Sequence, residues 1–166
     1  NKEIIELKHT KINLSNIVQS WLRLLFISSQ NDEIESAKII FLKDNNYKIK
    51  ELKSPGKKKA IKILDTYSNI YSEHQKRCIP IPPLSSFNFV STLNSYDDEK
   101  AINIFKRTWI GNEFSLGERE KFEMKLCFGE SKDAEFFTNN TLFNELADDL
   151  YKAIIESLVN ERNLLL

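Results

Sequence analysis

Glu6-Leu7-Lys8 is the first place where residue types and spacing in this chain could do chemistry. On a strand, residues two apart leave the same face. A carboxylate and an ammonium so placed could ligate Mg²⁺ and support an attacking water, the chemistry of phosphodiester hydrolysis. The pair is insufficient alone, because such a centre also needs an aspartate from a preceding strand, which would lie before Asn1. The preferred reading of Glu6 and Lys8 is a strand edge with solvated charges. His9 and His74 lie far apart and have no cysteines at ligand spacing, so no metal site is expected. No serine or cysteine sits in a nucleophile setting such as Gly-x-Ser-x-Gly. With only 4 glycines the chain has no phosphate-cradling loop, and nucleotide binding by this segment is not expected.

Two groups of cations could meet a nucleic acid. Lys57, Lys58, Lys59 and Lys62, with Lys53 before them, crowd the start of a predicted helix. A helix N-terminus already attracts anions, so Pro55-Gly56 followed by lysines could approach a phosphate. A solvated helix face is the competing and favoured reading. Lys106 and Arg107 stand beside Trp109, cation and aromatic together, able to touch a DNA backbone or a stacked base. Trp109 also continues the apolar stripe from Ala101 and Phe105, which favours its burial. Glu118 reads as a first-turn acid complementing its own helix.

The elements that must position these residues follow from periodicity. Ile4 to Lys8 reads as a strand, and Asn13 as the cap of a helix over residues 14–29 with Ile17, Val18, Trp21, Leu24, Leu25 and Ser28 on one side. Ala37–Lys43 and Tyr47–Leu52, joined through Asp44-Asn45-Asn46, form a predicted hairpin, since Asn tolerates the positive φ such turns demand. The first hairpin strand is almost wholly apolar, as expected if both its faces are covered. Ser54-Pro55 opens a long helix, with Ser as cap and Pro first; it ends near Cys78, where Pro80, Pro82 and Pro83 enforce an extended connector. Ser85 or Ser86 then caps a short helix, Ser95 with Asp98 resembles a capping box for the next, and Gly111 stops it. Gly117-Glu118 opens a helix closed by Gly129, and a last helix spans about Thr141 to Asn160. Strands gather in the first third and helices in the rest, so the class is α+β.

A length of 166 residues bounds the chain to one domain, with a core that needs neither metal nor disulfide. Two cysteines cannot frame a disulfide scaffold and suit a reducing compartment. Lys and Arg (24) balance Asp and Glu (24), so any nucleic-acid contact must be local or shared with partners. No apolar run approaches a membrane span. The start at Asn1, with a strand almost at once, reads as a piece of something longer.

Several of these stretches together resemble a known family. They are Trp21-Leu22-Arg23 after the first strand, the hairpin, the Ile79-Pro80-Ile81-Pro82-Pro83 connector, Trp109-Ile110-Gly111, Gly117-Glu118 and Phe143 to Leu150. In order and spacing they are similar to the C-terminal region of the exodeoxyribonuclease V gamma chain (RecC). The resemblance implies a partial, inactive restriction-endonuclease-like core with a small mixed sheet, residues 1–53, followed by a mainly helical part, residues 54–166, all one C-terminal nuclease-like domain. In the active fold the Glu6-x-Lys8 strand leads to a helix carrying Gln19. The tyrosine that would follow four residues later is Arg23 here. The loops after the tryptophan helix are also shorter than the family's.

The implied function is a noncatalytic scaffold and DNA-guiding domain of a helicase-nuclease that acts in double-strand break repair and recombination. Its partners would be the beta and alpha chains (RecB and RecD) and double-stranded or forked DNA, with no membrane, in the cytoplasm. No cofactor is expected in this domain, and Mg²⁺ and ATP would serve the partner subunits of the ATP-dependent exodeoxyribonuclease. Two alternatives stand beside it: a fragment of an active Mg²⁺-dependent nuclease, and a protein-interaction domain unconnected with DNA.

Overall fold

A computed structural model describes residues 2–75, 78–130 and 132–163, the last four of these by backbone only. They form two compact units, Asn1–Ser68 with Glu156–Leu166, and Asn69–Ile155.

The first unit is built on a sheet. β1 (Lys2–Lys8) runs parallel to β2 (Ile34–Lys43), and the connection is α1 (Leu14–Gln30), as a parallel pair requires. Asn13 caps α1: its side chain accepts from the Asn16 amide, and the Asn16 side chain accepts from the Asn13 amide. Trp21, Leu24, Leu25 and Ser28 of α1 are buried at three-four spacing, as the periodicity predicts. β2 turns into β3 (Asn46–Lys53) through Asp44 (φ 51°) and Asn45 (φ 60°), the left-handed pair of a tight hairpin.

β2 buries one face along its length and the other only near its start, at Ser36. Ala37, Ile39 and Phe41 are enclosed, whereas Ile40 and Leu42 on the other face remain half-exposed. The predicted helix to Asn160 stops earlier. α7 (Thr141–Ser157) gives way to β6 (Leu158–Asn163), which pairs antiparallel with β3, so the sheet order is β1-β2-β3-β6. Leu158 fits a helical stripe by spacing but stands opposite Leu52 in the sheet. The fold is therefore α+β with a small mixed sheet, and its last strand comes from the chain's far end.

The start of α2 (Lys57–His74) differs from expectation. Gly56 has φ +78°, off the helical path, so Pro55 cannot be the first helical residue. The Ser54 hydroxyl accepts from the Gly56 amide at 3.2 Å, and Asp32 accepts from the Lys57 amide at 3.0 Å. Further along, the Tyr67 hydroxyl accepts from the Trp21 indole at 3.2 Å. Burial raises the Tyr67 phenol above its ordinary value, outweighing the opposing effect of that bond. Its contribution to stability is full below about pH 10 and is lost as pH rises toward the raised value. Alkaline unfolding should therefore steepen in the native protein relative to Tyr67→Phe, as urea titrations above and below pH 10 would read. Parallel curves would refute this.

The second unit is helical. It comprises α3 (Pro83–Leu93), α4 (Asp98–Ile110), a hairpin of β4 (Gly111–Asn112) and β5 (Ser115–Leu116), a 3-10 turn at Glu118–Glu120, α5 (Phe122–Phe128), α6 (Glu135–Thr138) and most of α7. Pro82, not a serine, precedes α3, and Ser85 and Ser86 are buried within it. Asp97 rather than Ser95 caps α4, accepting from the Lys100 amide. The core is aromatic. Phe137 meets Trp109 at 4.9 Å, Phe128 at 5.1 Å and Phe105 at 5.6 Å between ring centroids, and Phe105 also meets Phe143 edge-on at 5.3 Å. Edge-to-face pairing of this kind adds to plain area burial.

Candidate nucleic-acid and subunit interface

Glu6 and Lys8 share the face of Ile39 and Phe41, their register partners on β2. The Glu6 side chain is almost buried, and its Oε2 pairs with the Arg23 guanidinium of α1 at 2.9 Å. Its Oε1 is enclosed without a hydrogen-bond partner. Gln19 does not join them: it is exposed and donates back to Ser15 Oγ along its own helix. The strand thus brings Glu6 and Lys8 together, and the helix answers with a cation instead of a group that could orient water. Arg23 follows Gln19 by four residues on α1, and its charge offsets that of the Glu6 carboxylate. Among the described residues no three His, Cys, Asp or Glu side chains converge to hold a metal ion.

Lys57, Lys58, Lys59 and Lys62 are exposed on the first turns of α2. The Lys57 amide is already occupied by Asp32, so an incoming phosphate would meet the lysine side chains rather than a vacant helix end. Lys59 pairs loosely with Glu156 at 3.6 Å. Lys106, Arg107 and Trp109 are not brought together. Lys106 binds Glu135 at 2.6 Å and holds that carboxyl below its usual range. Arg107 is exposed, while Trp109 is buried and donates its indole N–H to the Lys132 carbonyl at 2.8 Å.

The Trp-x-Gly and Gly-Glu sequences form one tight construction. Gly111 adopts φ +86° to leave α4. At Gly117 the chain passes back so closely that a Cβ would fall within 3.0 Å of the Ile110 and Trp109 carbonyls. Glu118 then enters the interior and accepts from the Leu84 amide at 2.9 Å, the Ser85 amide at 2.7 Å and the Ser85 hydroxyl at 2.8 Å. It does complement a helix dipole, but that of α3 rather than of its own turn. A signal for this was available: Pro82-Pro83 starts a helix with no capping side chain, which leaves its first amides to be satisfied from elsewhere. The construction projects apolar groups outward. Phe114 (94% exposed) and Leu116 (89%) on the hairpin, and Phe122 and Leu126 on α5, face solvent. Nothing in the local sequence marks Phe122 and Leu126 as surface residues.

A family model described as the RecC C-terminal domain matches residues 1–94. The chain belongs to the RecC C-terminal domain family. The match spans β1 through α3 and so includes the Glu6–Arg23 pair, the lysines of α2 and the proline connector. The Trp109-x-Gly111 and Gly117-Glu118 construction lies beyond the matched residues of this RecC-family chain. A comparison with curated proteins gives no match. Among the described residues no helix is long and apolar enough to cross a membrane.

Proposed function

We propose that this domain is a noncatalytic scaffold and DNA-guiding part of the exodeoxyribonuclease V gamma subunit, working in double-strand break repair and recombination in the cytoplasm. The observation that carries the reading is the Glu6–Arg23 ion pair. In a nuclease-like β1-α1-β2 arrangement it engages the one carboxylate positioned for Mg²⁺. ATP use and Mg²⁺-dependent cleavage then belong to the beta and alpha chains (RecB and RecD). Exposed Phe114 and Leu116 of the hairpin, with Phe122 and Leu126 of α5, suit subunit docking, because large exposed apolar groups in one region are uncommon on free-standing proteins. The α2 lysines suit a backbone contact with duplex or forked DNA, a local one given the zero net charge.

The test uses the assembled complex. Glu6→Gln should leave Mg²⁺-dependent cleavage by the complex unchanged; loss of cleavage would instead establish an active nuclease centre here. Lys57, Lys58 and Lys59 changed together to Glu should weaken forked-DNA binding. The slope of log affinity against log salt should become shallower by up to about 0.9 for each phosphate that is no longer neutralised. An unchanged slope would show that these lysines are only solvated.

A further inference from the structure

The chain holds 2 cysteines, Cys78 before the proline connector and Cys127 near the end of α5. They lie far apart in sequence, yet the fold sets them side by side. Both line a cleft of about 530 Å³ with Ile79, Ile81, Met124 and Phe128. Both also line a second cleft of about 260 Å³ that includes His74 and Lys132. The two residues are thus shared by both clefts, and both are exposed to reagents in solution. A thiol–thiol hydrogen bond with Cys78, and then burial, push the Cys127 thiol above its ordinary value. No group of three metal-binding side chains exists among the described residues, so the pair lacks the further ligands that zinc requires.

We propose that Cys78 and Cys127 are a dithiol modification site, closed into an intramolecular disulfide by a small oxidised disulfide such as glutathione disulfide. Cys78 loses its proton to solvent and attacks as thiolate. The S–S bond of the small disulfide breaks, one small thiolate leaves, and a mixed disulfide forms on Cys78. Cys127 then loses its proton to solvent and attacks the Cys78 sulfur, expelling the second small thiolate. Two protein thiols are oxidised and one small disulfide is reduced to two thiols. The second step is favoured because the attacking sulfur is already adjacent.

The consequence falls on α5. This helix has 7 residues, none of them buried, so little but its ends holds it in place. A bond from Cys127 to the proline connector pins it, and with it the outward Phe122 and Leu126.

The experiment treats the full-length protein, folded, with glutathione disulfide and follows intact mass, peptide mapping and amide hydrogen exchange. The expected product is a monomer lighter by two hydrogens, carrying a peptide crosslinked through Cys78 and Cys127 and no glutathione. Amides of α5 should exchange at least about tenfold more slowly when oxidised, and a reductant should restore the original rate. Cys127→Ser should stop at a stable glutathione adduct on Cys78. Separate adducts on both cysteines, disulfide-linked dimers, or unchanged exchange in α5 would each overturn the proposal.

Discussion

Replacing Glu118 by alanine is expected to lower the stability of the second unit by about 3–5 kcal/mol, read from urea unfolding. The carboxylate is enclosed, 3% exposed, and satisfies the Leu84 and Ser85 amides and the Ser85 hydroxyl at once. Pro82 precedes α3 and makes no side-chain capping bond, so those amides have no substitute. Alanine would leave buried donors with nothing to bond, each costing about 1–3 kcal/mol. Glu118→Gln keeps the shape but exchanges one acceptor oxygen for a donor facing a donor, and should fall between alanine and the native residue. Lys121, 3.8 Å from Glu118 Oε1 and more than half exposed, adds little, so Lys121→Ala should change stability by less than about 1 kcal/mol. A mild effect of Glu118→Ala, within the range of a surface change, would mean that the α3 amides find water and that the carboxylate is not a structural tie.

Gly117→Ala should be comparably damaging for a different reason. Its φ of −69° is ordinary, so no backbone strain is involved. The obstacle is space: the added methyl would collide with backbone carbonyls of Trp109 and Ile110, which cannot rotate away as a side chain can. Opening that contact displaces Trp109 from Phe137 and loosens its indole bond to Lys132. A loss of roughly 4 kcal/mol or more is expected. Gly129→Ala is the matched control. Gly129 has φ +79° and ψ 174°, a region open essentially to glycine, but nothing within 4 Å of a Cβ, so only a backbone penalty of about 1–3 kcal/mol applies. Equal losses at the two glycines, measured by thermal or urea unfolding, would remove the claim that close backbone approach explains Gly117.

These two residues also explain what the Trp-x-Gly and Gly-Glu stretch is for. Its tryptophan, glycines and glutamate point inward or fill no space, so they build a platform rather than touch a partner. The groups free to meet another molecule are those between and after them, Phe114, Leu116, Phe122 and Leu126. Within the proposed subunit role, the two variants above should therefore weaken assembly through loss of the platform. They should do so alongside the loss of stability, not independently of it.

Much of the local structure was legible in the sequence. The α1 stripe, the Asn13 cap and the Asp44-Asn45 turn depend on residues within a few positions of one another, and intrinsic conformational preference is strong there. The α+β class and the link to the RecC C-terminal domain family rest on the order of such segments. What escaped the sequence depends on partners far along the chain. Asp32 rather than Ser54 terminates α2, Glu118 rather than a serine terminates α3, and β6 returns to β3 from the other end of the chain. Arg23 could be noted in place of a tyrosine, but its charge became meaningful only when the helix set it 2.9 Å from Glu6. The adjacency of Cys78 and Cys127 is likewise a product of folding. Short-range preference sets which segments become strands, helices and turns. Which distant groups satisfy each other's buried charges and amides is settled only when those segments pack, because that choice depends on position in space and leaves no trace in spacing.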